Sequence, residues 1–270
     1  MTTPNQRREA LTQLMGHGLS GRAACRWSGV SRHVLQYVPA LVERDTTLLI
    51  QMRAVTQTYP RFGYRRVAVL TQTSFKRAWR LWKRHGFQLQ PARARRRRMP
   101  NRDPRPHRAE RPNQVWTYDI LHDQLADGRR FKTLSVLDEF TRECLVIQVG
   151  RTMRAPDVIV ALTTAMQRHG QPEFIRSDNG SEFTATQVMQ WLQGQVVGPS
   201  FIQPGHPWQN GYVESFHGKF RDECLNREWF RSSLEAEVVI EQWRQHYNTQ
   251  RPHSAVGYKT PAQVAAEYHG

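Results

Sequence analysis

From residue 112 onward the apolar positions follow two periods in turn. Val115 to Leu121 and Phe131 to Leu137 read as strands joined by the turn Asp127-Gly128-Arg129, and Glu143 to Val149 supplies a third, so an antiparallel meander is predicted. Pro156 to His169 carries Val158, Val160, Leu162 and Met166 among its apolar positions and stops at Gly170, which is the pattern of a helix. Phe174-Ile175-Arg176-Ser177 reads as a short buried strand, Thr184 to Leu192 as a helix, and Pro199 to Gln203 as a weak last strand. A helix from Asn210 through Cys224 follows. Ser232-Ser233-Leu234-Glu235 has capping-box spacing and opens a final helix, on which Ala236, Val239 or Ile240, Trp243 and Tyr247 recur at helical intervals. Three antiparallel strands, then alternation, then helices predict an α/β fold: a mixed five-stranded sheet with helices on both faces.

The first 111 residues are patterned differently. A helix from Arg7 to Gly16 places Leu11, Leu14 and Met15 on one side. Leu19 to Tyr37 then has the layout of a helix-turn-helix: Ser20 caps one helix, Gly29 makes the turn, Ser31 caps a second helix, and Pro39 stops it. Trp27, Val30, Val34 and Leu35 would form the wedge between the helices, leaving Arg22, Arg26 and Arg32 outside for phosphates or base edges. Further helices are predicted from Leu41 to Gln57 and from Phe75 to His85, the latter strongly basic and anchored by Phe75, Trp79, Leu81 and Trp82. Arg93, the run Arg95, Arg96, Arg97 and Arg98, and the prolines after it have too little apolar content to fold. The predicted organisation is therefore a basic helical region at 1–90, an Arg/Pro-rich linker at 91–111, an α/β core at 112–224 and a helical extension at 225–270.

Charge divides the chain at the same place. Residues 1–111 hold 24 Lys or Arg and 5 Asp or Glu, a net of +19, while residues 112–270 hold 15 and 18, a net of −3, which together make +16. Such a distribution is expected of a polyanion-binding region joined to a near-neutral domain that acts on the polyanion. The four-arginine run would grip a DNA backbone without reading its sequence. No stretch reaches the ~18 apolar residues of a membrane span, and the start lacks the apolar run of a signal peptide, so no membrane partner and a cytoplasmic location are expected, nucleoid-associated when DNA is bound. Cys25, Cys144 and Cys224 are odd in number and widely spaced, which suggests small buried hydrophobes rather than disulfides or a zinc site.

Three carboxylates stand out in the near-neutral part. Asp119 lies in the first strand, Asp178 at the carboxyl end of the fourth, and Glu214 early in a helix, with 35 residues between the last two. Unpaired charges brought together from separate elements repel one another and resist burial, and a metal ion removes that objection. An all-oxygen donor set without His or Cys favours Mg2+ or Mn2+, and two ions would suit phosphodiester chemistry. Asn179 and Ser181 are placed to orient Asp178, and Asn210 to start the helix that carries Glu214. On that helix His217, Gly218 and Arg221 share the face of Glu214, with Lys219 at its edge, so that Lys219 and Arg221 can hold DNA phosphates. Asp123 is expected past the end of the first strand, Asp138 as a turn cap or a partner of Arg142, and Glu182 as a helper of Asp178 or a helix cap.

Trp116-Thr117-Tyr118-Asp119, Ser177-Asp178-Asn179-Gly180-Ser181-Glu182-Phe183, the stretch from Pro204 to Glu223, and Tyr247-Asn248-Thr249-Gln250-Arg251-Pro252-His253-Ser254 together resemble the catalytic protein of bacterial two-frame insertion-sequence transposases. These are members of the aspartate-aspartate-glutamate superfamily that also includes retroviral integrases. The resemblance covers residues 112–265 with specific motifs and residues 1–90 more loosely. It implies an RNase-H-like core with Asp119, Asp178 and Glu214 as a triad holding two Mg2+ or Mn2+ ions. It also implies nicking at element ends, transfer of the freed 3′-hydroxyl into target DNA, and a homo-oligomer working on double-stranded DNA. A protein from the upstream reading frame, fused or separate, would supply recognition of the ends. Two features depart from the family: the stretch between Arg66 and Phe75 is shorter than usual, and His217 stands where Asn is commoner. A nuclease that cuts without joining would use the same triad, and a repurposed DNA-binding copy is the reading suggested by the shortened amino-terminal module.

Overall fold

The structure, a computed structural model, describes residues 4–35, 40–87, 89, 107–177, 186–201 and 210–269. They form two compact units, residues 1–55 and 56–270.

The first unit contains helices α1 (Pro4–Gly16) and α2 (Gly21–Ser28) and the start of α3 (Ala40–Thr58). Ser20 Oγ accepts a hydrogen bond from the amide of Ala23, and Gly29 ends α2 in the left-handed region at φ 66°. Both are the caps that the sequence calls for. Leu11, Ala24 and Cys25 form the small core, with Leu14, Leu19 and Val30 packed on it. The wedge differs from expectation at Trp27, which is 78% exposed because the buried stripe of α2 consists of Ala24 and Cys25. After Ser31 the described chain makes only a short 3-10 turn, Arg32–Val34, and the continuation expected as the second helix lies partly outside the described residues.

In the second unit the strands are β1 (Val115–Gln124), β2 (Arg130–Asp138), β3 (Cys144–Gly150), β4 (Phe174–Ser177) and β5 (Gly198–Phe201), in the order β3-β2-β1-β4-β5. β1, β2 and β3 are antiparallel, while β4 runs parallel to β1 and to β5. This is the mixed, RNase-H-like sheet. β1 and β2 are each longer than the apolar run predicts, because pairing of Asp123 with Phe131 and Gln124 with Arg130 carries the ladder past the last core position. Asp123 is thus inside β1, a correction to its expected place beyond it.

Alternation along β1 divides the unit into layers. Trp116 and Tyr118 enter one core with Leu134, Val136, Val158 and Leu162, under α6 (Ala155–His169) and α7 (Thr186–Gly194). Leu121 enters the other with Phe131, Cys144, Val213, Phe216 and Phe220, under α8 (Gly211–Phe220) and α9 (Ser233–Thr249). Beyond Phe220 the backbone widens into a π turn, Arg221–Leu225, so the helix predicted to reach Cys224 does so in a different form. A last helix, α10 (Pro261–His269), was not predicted from the sequence.

β3 is an edge strand, and an open edge leaves backbone groups without partners. Asn248 closes it with two 2.9 Å bonds, its Oδ1 accepting from the amide of Cys144 and its Nδ2 donating to the carbonyl of Cys144. Arg244 Nη1 adds a bond to the same carbonyl at 2.9 Å. Tyr59 stacks on His246 of α9 with ring centroids 4.8 Å apart, and Phe75 meets Tyr258, beyond that helix, at 5.2 Å. Helices α4 (Tyr64–Leu70) and α5 (Phe75–Arg84) belong to this second unit. In α5, Leu81 and Trp82 are buried, whereas Phe75 and Trp79 remain more than a third exposed and meet Tyr258 and Tyr64 in tilted ring contacts.

His253 is buried beneath this joint, and burial, followed by the charges of Arg251 and Lys219, pushes its pKa down to about 2. The unfolded chain takes up a proton below about pH 6.5, while the folded chain does not, so stability falls as pH drops through that value. At pH 5 the expected loss is about 2 kcal/mol. Chemical denaturation at pH 7 and pH 5 should show it, and His253→Gln should reduce the difference by about that 2 kcal/mol.

Candidate active site

The site is built on the face of β1 that carries Thr117, Asp119 and Leu121, residues of one parity along the strand. α8 runs along this face. Thr117 Oγ1 donates to Asn210 Oδ1 at 2.9 Å, a bond buried at the helix start. Two residues along the strand and seven along the helix, His217 Nδ1 lies 3.5 Å from Asp119 Oδ2. At the far end Leu121 packs into the core that holds Phe216 and Phe220. Asn210, Glu214 and His217 are spaced i, i+4 and i+7 and so form one stripe of the helix. Glu214 belongs to the stripe that meets Asp119 but is itself exposed, while Val213, Phe216 and Phe220 point into the core.

Asp119 is held from two sides. Its Oδ1 accepts from the amide of Ile120 at 2.7 Å, and His217 faces its Oδ2. Burial, and then the charge of Arg221, lower the His217 pKa to about 4. At neutral pH the imidazole is therefore uncharged, and its contact with Asp119 is dipolar rather than an ion pair. Nε2 of His217 is buried without a hydrogen-bond partner among the described residues, and Nδ1 is the ring atom that faces Asp119. The Asp119 side chain is 23% exposed, so a hard cation, which takes carboxylate oxygens as ligands, can reach it.

The other residues singled out from the sequence are distributed as follows. Lys219 folds back on its own helix, its Nζ donating to Ser215 Oγ at 2.8 Å and to the Ser215 carbonyl at 2.9 Å. Arg221 is exposed at the first position of the π turn. Arg22, Arg26 and Arg32 are exposed in the first unit. Asp178, Asn179, Ser181, Glu182 and the run Arg95, Arg96, Arg97 and Arg98 lie outside the described residues, as does the segment 202–209. Among the described residues no three His, Cys, Asp or Glu side chains converge on one point. Asp138 acts as a cap, its Oδ1 accepting from the amides of Phe140 at 2.7 Å and Thr141 at 2.9 Å and its Oδ2 from Asn113 at 2.7 Å.

Three side chains around the site carry roles that the sequence reading did not assign. Thr117 anchors the start of α8, and the period-2 pattern that links it to Asp119 was the available signal. His217 faces Asp119, and its i+3 spacing from Glu214 was noticed without a partner being identified. Arg176, two residues before Asp178, is fully buried and pairs through Nε with Glu139 Oε1 at 3.0 Å. Nothing in a short apolar strand announces that pair.

The Integrase core domain family matches residues 109–207 and, in a second profile of the same description, residues 195–261. A 39.2 kDa protein of insertion element IS476 from Xanthomonas euvesicatoria is 39% identical over 98% of this chain and 78% of its own length. A 31.7 kDa protein of insertion element IS407 from Burkholderia multivorans is 40% identical over 93% of this chain and 92% of its own. Among solved structures, the HTLV-2 integrase catalytic core domain in complex with magnesium aligns at 19% identity and a TM-score of 0.46, covering 58% of this chain and 99% of that one. With full-length relatives at this identity and an integrase core spanning the carboxylate-bearing elements, the chain belongs to the insertion-sequence transposases, DNA polynucleotidyl transferases with an integrase-like catalytic core.

Proposed function

We propose that this transposase nicks DNA at the ends of its insertion element and joins the freed 3′-hydroxyl to target DNA, with Asp119, Asp178 and Glu214 holding two Mg2+ or Mn2+ ions. The observation that carries the reading is the seating of the Glu214 helix along β1, with His217 of that helix 3.5 Å from the Asp119 carboxylate. Bound there, the ions would lower the pKa of the attacking hydroxyl and neutralise charge at the scissile phosphate. The chain's own residues supply the positioning on which phosphoryl transfer depends. Thr117 and Asn210 fix the start of α8 against the strand, Ile120 and His217 hold the Asp119 carboxylate, and Asn179 and Ser181 would orient Asp178. Arg221, with the basic residues Arg22, Arg26, Arg32 and Arg95 to Arg98, carries DNA phosphates.

Residues 112–270 carry a net of only −3, so the DNA is gripped by the basic residues of the first 111 and by other copies of the chain in a homo-oligomer assembled on the ends. The product of the upstream frame would add recognition of the terminal repeats. The test is a strand-transfer assay with purified protein, alone and with that upstream product, on end-bearing duplex DNA. Joined products are expected with Mg2+ or Mn2+ and none after chelation. Nicked but never joined DNA would point to a nuclease, and binding without nicking to a repurposed copy.

A further inference from the structure

Arg251 has more positive charge around it than packing requires. It is fully buried, and its Nε donates to Glu223 Oε2 at 2.6 Å while Nη2 donates to Oε1 of the same carboxylate. Its remaining nitrogen, Nη1, is buried without a hydrogen-bond partner among the described residues. The guanidinium stands 5.7 Å from the ring centre of Phe62, and that of Arg66 stands 5.3 Å from the same ring. Arg66 is tied to the next residue along, its Nε donating to the Pro252 carbonyl at 3.2 Å. Lys219 lies four residues before Glu223, one turn away along α8 and its π extension. Arg66, Lys219 and Arg251 therefore gather around one carboxylate.

The electrostatics agree with this geometry. The Lys219 ammonium is pushed down to about 8, first by burial and then by Arg251 and Arg66, with Glu223 opposing. Arg66 is lowered in turn by burial and by Arg251. Mutual repulsion of half-buried cations disfavours the folded state unless an anion joins them. Arg66 and Lys219 are the partly exposed members, and Arg251 is the fixed charge behind them.

We propose that Arg66 and Lys219, backed by Arg251, form a seat for one backbone phosphate of the DNA on which the catalytic carboxylates act. Its distance from the chemistry suits that role. Lys219 is five residues beyond Glu214, a helix rise of about 7.5 Å, or roughly two base steps along a DNA strand. The phosphate held is thus a near neighbour of the one opposite Glu214. The assignment rests on the transposase reading of Glu214 and deepens it. It also gives Arg251, in the family-like segment from Tyr247 to Ser254, a part in substrate binding.

The test measures affinity for a short duplex carrying the element end as a function of salt, without divalent metal and in an Asp119→Asn background. Arg66→Gln should reduce the slope of log K against log salt by about 1, the change expected for one lost phosphate contact. Lys219→Gln should do the same, and the double variant should lose no more than either alone, because one phosphate is shared. Arg66→Lys should keep the slope, and it serves if the Gln variant does not fold. An unchanged slope with a lowered melting temperature in Arg66→Gln would make Arg66 only a latch on Pro252 and overturn the seat, as would a reduced slope in Arg66→Lys. Strand transfer persisting in Asp119→Asn would instead sink the triad reading, and the slopes would still decide the seat.

Discussion

Asp119→Asn is expected to reduce strand transfer by at least about 10³-fold, since losing several kcal/mol of charge stabilisation at the reacting phosphate corresponds to that change in rate. Asparagine has nearly the same volume, and its carbonyl can still accept from the amide of Ile120, a bond of 2.7 Å in the native protein. The fold and the DNA affinity should therefore survive, which separates loss of chemistry from loss of structure. Glu214→Gln should behave similarly, because Glu214 is exposed and its amide analogue disturbs no packing. His217→Ala should be milder, about 10- to 100-fold, the range for a residue that orients a metal-binding carboxylate. His217→Asn should recover part of the loss, since an amide can also donate to Asp119. The same strand-transfer assay, run on stopped time points with protein in excess of DNA ends, measures all four variants. Transfer by Asp119→Asn at a rate near that of the native chain would remove Asp119 from the triad.

Glu139→Ala is expected to destabilise the catalytic unit by about 3–5 kcal/mol, the cost of leaving a buried charge without its partner. Glu139 and Arg176 have side-chain exposures of 0% and 1%, so solvent cannot compensate for the lost carboxylate. The Arg176 guanidinium also donates from Nη2 to the His107 carbonyl at 2.9 Å, which pins β4 to the chain entering the unit. Removing Glu139 should therefore loosen the strand that leads into Asp178, and strand transfer should fall together with stability. The double variant Glu139→Gln with Arg176→Met should be more stable than Glu139→Ala, because no uncompensated charge remains. Urea unfolding of the three proteins measures the effect. A loss below about 1 kcal/mol in Glu139→Ala would place the pair in the class of solvent-screened bridges.

The elements of the catalytic unit were legible in the sequence wherever one face of an element is buried. β2, β3, β4, α6 and α9 fall within a residue or two of their predicted limits because alternation, helical period and caps such as Ser232, whose Oγ accepts from the Glu235 amide at 3.1 Å, are local signals. The same holds for the inward set of α8. Prediction was weaker where a local pattern has two solutions. The helix-turn-helix spacing allowed Trp27 to be placed inward, yet Ala24 and Cys25 fill that position, and Gly21 lets Leu35 come so close that a Cβ there would lie 3.2 Å from its Cδ1. Likewise, helical spacing carried α8 to Cys224 but could not announce the π turn at Arg221.

The chain by itself singled out the carboxylates proposed for the site and predicted the order of the elements of the sheet. Asp119, Asp178 and Glu214 stand out because acidic residues beside strand ends and helix starts have no packing role that would explain them. Only the tertiary structure decided which partners these groups meet. That His217 faces Asp119, that Thr117 holds Asn210, that Arg176 is neutralised by Glu139 and that Arg66 shares a ring with Arg251 depend on contacts between residues 37 to 185 positions apart. Such contacts are set by how the sheet and the helices pack, and no periodicity along the chain encodes them.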